Sequence, residues 1–293
     1  MKIIRRPEVM VAWSENLRRQ GVTIGFVPTM GALHEGHRSL IRAGRRRSDA
    51  LVVSVFVNPT QFGPTEDFAR YPRVLDRDHA LCRTEGVDVC FEPTVEAMYP
   101  KGYQTVVMVS EITRRWEGER RPHHFQGVAT VVTKLFRIVQ PHFAVFGQKD
   151  YQQVLLVRRL VQDLNLGVKI IICPTVREPD GLAMSSRNIY LSEQERTIAP
   201  LLYKSLKAGS EAIRKGVIEA ALVQSTMAAV LKQEPRFTIE YLAVCDPLTL
   251  EPLTLVTSKA ILLGAVRLGS VRLIDNLIVS PARNQRAKRL SSA

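Results

Sequence analysis

The chain has 293 residues, 45% of them hydrophobic and 24% charged, with a formal net charge of +13, which fits one large or two ordinary globular domains. No apolar run approaches a membrane span, and Arg5, Arg6, Pro7 and Glu8 stand where a signal peptide needs an apolar core, so a cytoplasmic protein without a membrane partner is expected. Cys82, Cys90, Cys173 and Cys245 form no Cys-x-x-Cys pair, which argues against a zinc site or disulfide framework and for buried free thiols.

In chain order, residues 23–27 form a short apolar run that reads as a strand and turns through Gly31 and Gly36 into a helix. Residues 50–57 form an apolar run broken only by Ser54 and end at Asn58-Pro59, the pattern of a strand buried on both faces of a parallel sheet. A charged helix is predicted over 76–85, with short strands at 87–91 and 105–109. A buried helix follows over 127–139, then a strand at 143–146, a helix over 151–164 and a strand at 168–173 closed by Pro174. This alternation predicts a doubly wound, Rossmann-like α/β parallel sheet over residues 1–175.

After Asn188 the pattern changes. Ser192 and Glu195 have capping-box spacing, and amphipathic helices are predicted over 193–214 and 219–233. Strands follow at 237–244, 260–266 and 271–274. A smaller α+β domain is expected over 176–282, with a hinge between Pro174 and Ser192. Residues 283–293 read as a basic, frayed tail.

Ligands in such sheets sit beyond the carboxyl ends of the strands, where the polar clusters fall. The first is Met30-Gly31-Ala32-Leu33-His34-Glu35-Gly36-His37. A helix N-terminus attracts an anion, glycines admit a close backbone, and imidazoles there can donate to a phosphoryl oxygen. The alternatives are a structural histidine pair or a metal pair. A zincin helix would need His-Glu-x-x-His, and these histidines are three residues apart, so no metal is assigned to them. Walker and dinucleotide fingerprints are absent.

Asn58 and Gln61 are amides after the second strand, suited to hydroxyl and carboxylate recognition; Asn58-Pro59 is also a turn initiator. Gly147-Gln148-Lys149-Asp150 places a cation at a strand-to-helix junction, with Asp150 as the expected helix cap and Gln153 one turn on. Met184-Ser185-Ser186-Arg187 offers two hydroxyls and a guanidinium fork for polyphosphate. The pair His123–His124 has no carboxylate or cysteine at ligand spacing and reads as a loop packed against the site. The many arginines are not interleaved with aromatics, so an anionic small substrate is expected rather than nucleic acid.

Taken together these segments resemble the pantoate–β-alanine ligase family. The resemblance rests on residues 28–37, Phe56-Val57-Asn58-Pro59-Thr60-Gln61-Phe62, Tyr71-Pro72-Arg73, His124-Phe125-Gln126-Gly127, residues 146–153 and Met184-Ser185-Ser186-Arg187-Asn188. His34 to His37 is similar to the His-x-Gly-His signature of a wider nucleotidylyltransferase superfamily.

The resemblance implies condensation of pantoate with β-alanine through pantoyl adenylate, with ATP as co-substrate, Mg²⁺ accompanying it, and a homodimer. It implies ATP contacts at residues 30–37, at Gly147, Gln148, Lys149 and Asp150, at Val176, and at Met184, Ser185, Ser186 and Arg187. It gives catalytic roles to His37 as proton donor, His34, Lys149 and Arg187, and substrate contacts to Gln61, Gln153 and Asn58. Asp78 is an outer candidate near Mg²⁺. Gln148, His123 and Ile189 depart from the family's usual Glu, Gly and Gly. The competing expectations are another transferase of that superfamily, which gives no reason for both Gln61 and Gln153, and an RNA-binding protein, which would bind RNA in a salt-sensitive way.

Overall fold

The computed structural model describes residues 1–64 and 66–281. Two compact units emerge: residues 1–176 with Met184–Ser186, and Arg177–Ala183 with the chain from Arg187 onward.

The first unit is built on a parallel sheet of β1 (Lys2–Ile4), β2 (Ile24–Thr29), β3 (Ala50–Val55), β4 (Val89–Phe91), β5 (Phe143–Gly147) and β6 (Lys169–Cys173), in the order β1-β4-β3-β2-β5-β6. Its helices are α1 (Pro7–Arg19), α2 (Glu35–Arg45), α3 (Leu75–Thr84), the single turns α4 (Val95–Met98) and α5 (Glu117–Arg120), α6 (His124–Val139) and α7 (Tyr151–Asp163). Continuous apolar strands arise because both faces are covered. Phe26, Val52, Ala144 and Phe146 join one core with residues of α1, α6 and α7; Val27, Leu51, Val53 and Val145 alternate into a second core with Leu40 and Ile41 of α2. β2 pairs with β3 on one side and β5 on the other. The strand order therefore reverses between β2 and β5, and the crevice at such a switch point is where ligands bind.

The second unit contains α8 (Glu193–Ile198), α9 (Leu201–Arg214), α10 (Ala220–Leu231) and an antiparallel sheet β7-β8-β9 (Phe237–Cys245, Ala260–Leu268, Val271–Val279). Leu206, Ile213, Val223 and Met227 of its helices pack on Val244 and Leu262. Arg177 makes a fork with the Asp275 carboxylate at 2.5 and 2.9 Å and stacks 3.7 Å over the Tyr203 ring.

Several predicted elements differ. Residues 105–109 form no strand: the Val107 N–H donates to Thr130 Oγ1 at 3.0 Å and that hydroxyl donates back to the Val107 carbonyl, so a side chain replaces the ladder partner. The helix expected over 193–214 is two, because Pro200 lacks the N–H that would continue the ladder. β1 and α1 are additional elements; three residues are too few to show a period, and α1 starts on Pro7 with no side-chain cap. α6 begins at His124 rather than 127. The Ser192–Glu195 capping box forms as expected. The proposed tail, residues 283–293, lies outside the described residues. No described helix is long and apolar enough to cross a membrane. None of the four cysteines is in a disulfide, and three of them are buried.

Candidate active site

The loop after β2 is held from behind. Thr29 Oγ1 donates to the Ser54 carbonyl and accepts from the Gly31 N–H. Gly31 and Ala32 both have left-handed φ, +83° and +48°, a costly conformation for alanine. Asp78, on the first turn of α3 and 1% exposed, holds it there: its two carboxylate oxygens accept the Leu33 N–H at 2.7 Å and the Ala32 N–H at 2.9 Å. Burial pushes the Asp78 carboxyl up, against the pull of those two bonds. Both oxygens are committed to the loop, so Asp78 braces the backbone where the sequence suggested an outer Mg²⁺ contact.

α2 then opens on a reciprocal cap built from two imidazoles. His34 is the N-cap, and its Nδ1 accepts from the Gly36 N–H at 3.1 Å; His37 Nδ1 accepts from the His34 N–H at 3.3 Å. The expected row of free N–H groups is thus partly consumed, because an imidazole Nδ1 at the N-cap reaches the same donors as a serine oxygen. Gly36 is required by the cap: a Cβ there would lie 2.8 Å from the His34 ring. With Nδ1 accepting, each ring carries its proton on Nε2. Burial, aided by the Lys149 ammonium, lowers His34 to about 4. Burial, then His34 and Lys149, lowers His37 to about 3. Both rings are neutral at pH 7, and neither Nε2 has a partner among the described residues. They are hydrogen-bond donors aimed away from their own backbone.

The turn after β3 is similarly built. Asn58 is 1% exposed and fully engaged: Nδ2 donates to Gly127 O and Gln61 Oε1, while Oδ1 accepts from Thr60 and from the Tyr99 hydroxyl. The Asn58 amide is thus spent within the protein, where it orients Gln61. The Gln61 carbonyl meets His124 Nδ1 at 2.9 Å and Arg121 Nη2 at 3.4 Å, and Arg121 forks onto Glu66. Gln61 Nε2 donates to the Met30 sulfur at 2.8 Å, joining this turn to the β2 loop. The turn and α6 touch so closely that a Cβ on Gly127 would lie 2.3 Å from the Thr60 carbonyl.

Across the switch point, Gln148–Asp150 form a single turn of 3₁₀ helix after β5. Lys149 is 20% exposed, with Nζ 3.8 Å from Asp150 Oδ1. Asp150 occupies the N-cap position of α7, yet its carboxylate accepts no N–H there, a departure from the predicted cap. Gln153 is half-buried, and its amide makes no hydrogen bond among the described residues. Its neighbour Gln152 is spent internally on Ile112, Arg115 and Glu117.

Val176 accepts from the Met184 N–H, and Ser186 Oγ donates to the Ala32 carbonyl at 3.1 Å, so residues 184–186 lie on the β2 loop. Glu35 faces Arg38 and Arg42 at the surface. Arg187, on the 3₁₀ turn Ser186–Tyr190, belongs to the second unit. The first unit therefore gathers His34, His37, Met30, Gln61 and Ser186 by direct contact, with Lys149 close enough to bias both histidines. Asp78, Tyr99 and Gln152 are supports that sequence reading missed or misassigned, because each partner lies dozens of residues away.

Comparison with known proteins adds the following. The family model described as pantoate-beta-alanine ligase matches residues 2–278. A pantothenate synthetase of Thermodesulfovibrio yellowstonii is 51% identical over 95% of this chain and 100% of its own length. One from Moorella thermoacetica is 53% identical over 89% of this chain and 93% of its own. The crystal structure of pantothenate synthetase from Thermus thermophilus superposes with a TM-score of 0.90 at 48% identity, covering 94% of this chain and 99% of that one. A pantoate-beta-alanine ligase from Francisella tularensis, complexed with beta-gamma ATP and beta-alanine, gives 0.79 at 36% identity, covering 95% and 97%.

Proposed function

The chain belongs to the pantoate-beta-alanine ligase family and joins pantoate to β-alanine with ATP, and we propose that the switch-point site of its first unit carries out the activation step. A carboxylate is a poor acyl donor until one of its oxygens becomes part of a phosphate leaving group. A pantoate carboxylate oxygen attacks the α-phosphorus of ATP; the bond to the bridging oxygen breaks and pyrophosphate leaves. Charge developing on the α-phosphoryl oxygens is met by the Nε2 protons of His34 and His37 and by the Lys149 ammonium, donors set in place before reaction. The β-alanine amine then attacks the acyl carbon of pantoyl adenylate, AMP leaves with the former carboxylate oxygen, and the amine gives up a proton.

The observation that carries this assignment is the reciprocal imidazole cap. It fixes both tautomers and turns both Nε2 protons outward. Neutral rings act as hydrogen-bond donors rather than acids. This reading refines the proton-donor role that the resemblance gave His37.

Gln61 and Gln153 hold pantoate: one is oriented by Asn58, and the amide of the other makes no hydrogen bond among the described residues. Gly147–Asp150, Val176 and residues 184–186 line the nucleotide; a phosphate role for Arg187 rests on the family resemblance alone. Mg²⁺ would accompany ATP and neutralise phosphate charge; the Asp78 carboxylate is committed to the loop. A cytoplasmic homodimer is part of the same reading.

Pantoate-dependent ATP–pyrophosphate exchange tests it. Exchange is expected with pantoate alone, and AMP release only when β-alanine is added. Exchange that ignores pantoate, or that requires β-alanine, would overturn the adenylate route.

A further inference from the structure

The residue after Asp78 opens a second polar cluster that the reaction leaves unused. His79 and Cys82, about one turn apart on α3, face Cys90 on β4 and Glu92 just beyond it. Residues two apart on a strand share one face. Both thiols are wholly buried, and Glu92 and His79 are 6% and 8% exposed. One ligand atom each from His79, Cys90 and Glu92 lie within 4.8 Å of one another. His79 Nε2 pairs with Glu92 Oε1, and the Cys90 thiol donates to the same oxygen at 3.4 Å. The Cys82 thiol stands against that of Cys90. The other Glu92 oxygen meets Arg5 Nη2 at 3.3 Å.

We propose that His79, Cys82, Cys90 and Glu92 form a structural site for one zinc ion. An imidazole, two thiolates and a carboxylate are zinc's own donor types, and four protein ligands leave no open position for catalysis. Zinc bonds of about 2.0–2.3 Å place tetrahedral ligand atoms roughly 3.3–3.8 Å apart. The ligand atoms of His79, Cys90 and Glu92 already lie within 4.8 Å of one another, about an ångström from that spacing. The backbone is already fixed, since β4 is paired with β1 on one side and β3 on the other.

Binding a dication releases the two thiol protons to solvent. The tight Cys-x-x-Cys pairs of common zinc sites are absent; the spacings are His79-x-x-Cys82 and Cys90-x-Glu92. Because His79 adjoins Asp78, an ion here would also pin the turn of α3 that braces the Ala32–Leu33 backbone.

The test uses the full chain, loaded with zinc, passed through gel filtration and assayed for metal by mass spectrometry. About one equivalent is expected in the wild type, and less than roughly a tenth in the double variant Cys82→Ser, Cys90→Ser. Cobalt substitution keeps the test valid if that variant fails to fold. Wild-type chain with Co²⁺ should show a sulfur-to-cobalt charge-transfer band and intense tetrahedral visible bands, and chelation of the zinc form should lower Tm. A wild-type chain that retains no zinc, a cobalt form without the sulfur band, or a Cys82–Cys90 disulfide in the purified protein would each overturn the proposal.

Discussion

Two polar clusters share the first turn of α3, and they are built in opposite senses. On the Asp78 side, every acceptor is turned inward to hold backbone: the carboxylate takes two loop N–H groups, and each Nδ1 takes an N–H of the α2 cap. What remains are donors facing out, the two Nε2 protons. On the His79 side, imidazole, thiol and carboxylate face one another, and the second Glu92 oxygen is taken by Arg5. The first arrangement leaves unsatisfied donors where an anion can meet them; the second encloses its ligand atoms, as a structural metal site does. A site for reaction and a site for anchoring thus differ less in residue type than in which atoms are already spent.

The largest effects should separate donors from supports. His37→Ala or Lys149→Ala is expected to lower pantoate-dependent exchange by roughly a hundredfold or more, the usual loss for one preorganised donor. A variant with near-normal exchange would remove that residue from the mechanism. Asp78→Asn keeps one acceptor and turns an N–H₂ toward a loop N–H. Losing a hydrogen bond to a charged group costs about 1.5–3 kcal/mol, so KM for ATP should rise by roughly tenfold or more, and added Mg²⁺ should not restore it. Full rescue by Mg²⁺ would return Asp78 to the metal.

The supports around Gln61 give smaller changes. Gly127→Ala drives a methyl into the Thr60 carbonyl, and overpacking of this kind costs about 1–3 kcal/mol. Its signature is a raised KM for pantoate together with a lowered Tm. Gln153→Ala should raise KM for pantoate and leave Tm unchanged, whereas Asn58→Ala should lower both Tm and pantoate affinity. If Gln153→Ala also lowers Tm, its amide is structural.

The pH dependence tests the neutral imidazoles. His34, His37 and His124 are held at about 4, 3 and 4, below their ordinary 6.5, chiefly by burial. The unfolded chain then binds more protons in that interval. The stability they contribute is complete above pH 6.5 and is lost as pH falls toward 4. Tm should decline from pH 6.5 to 4.5, before the carboxylates titrate. Exchange should show no limb centred near pH 6.5; a loss of rate as pH rises through that value in the enzyme–substrate complex would mean a protonated histidine acts.

The sequence alone revealed the parallel sheet, since strands covered on both faces are apolar almost throughout, as residues 50–55 are apart from Ser54. It also picked out the candidate site, because His34, His37, Lys149 and Ser186 each sit in a short run whose chemistry is local to the chain. The tertiary structure decided what those groups lean on. Asp78 braces a loop 45 residues away, Asn58 is spent on Gly127 and Tyr99, and Cys82 and Cys90 meet only because α3 folds onto β4. Local spacing records the residues that a turn or a helix face brings together. It carries no trace of partners brought together by burial, where a polar atom must find its mate wherever the packing puts one.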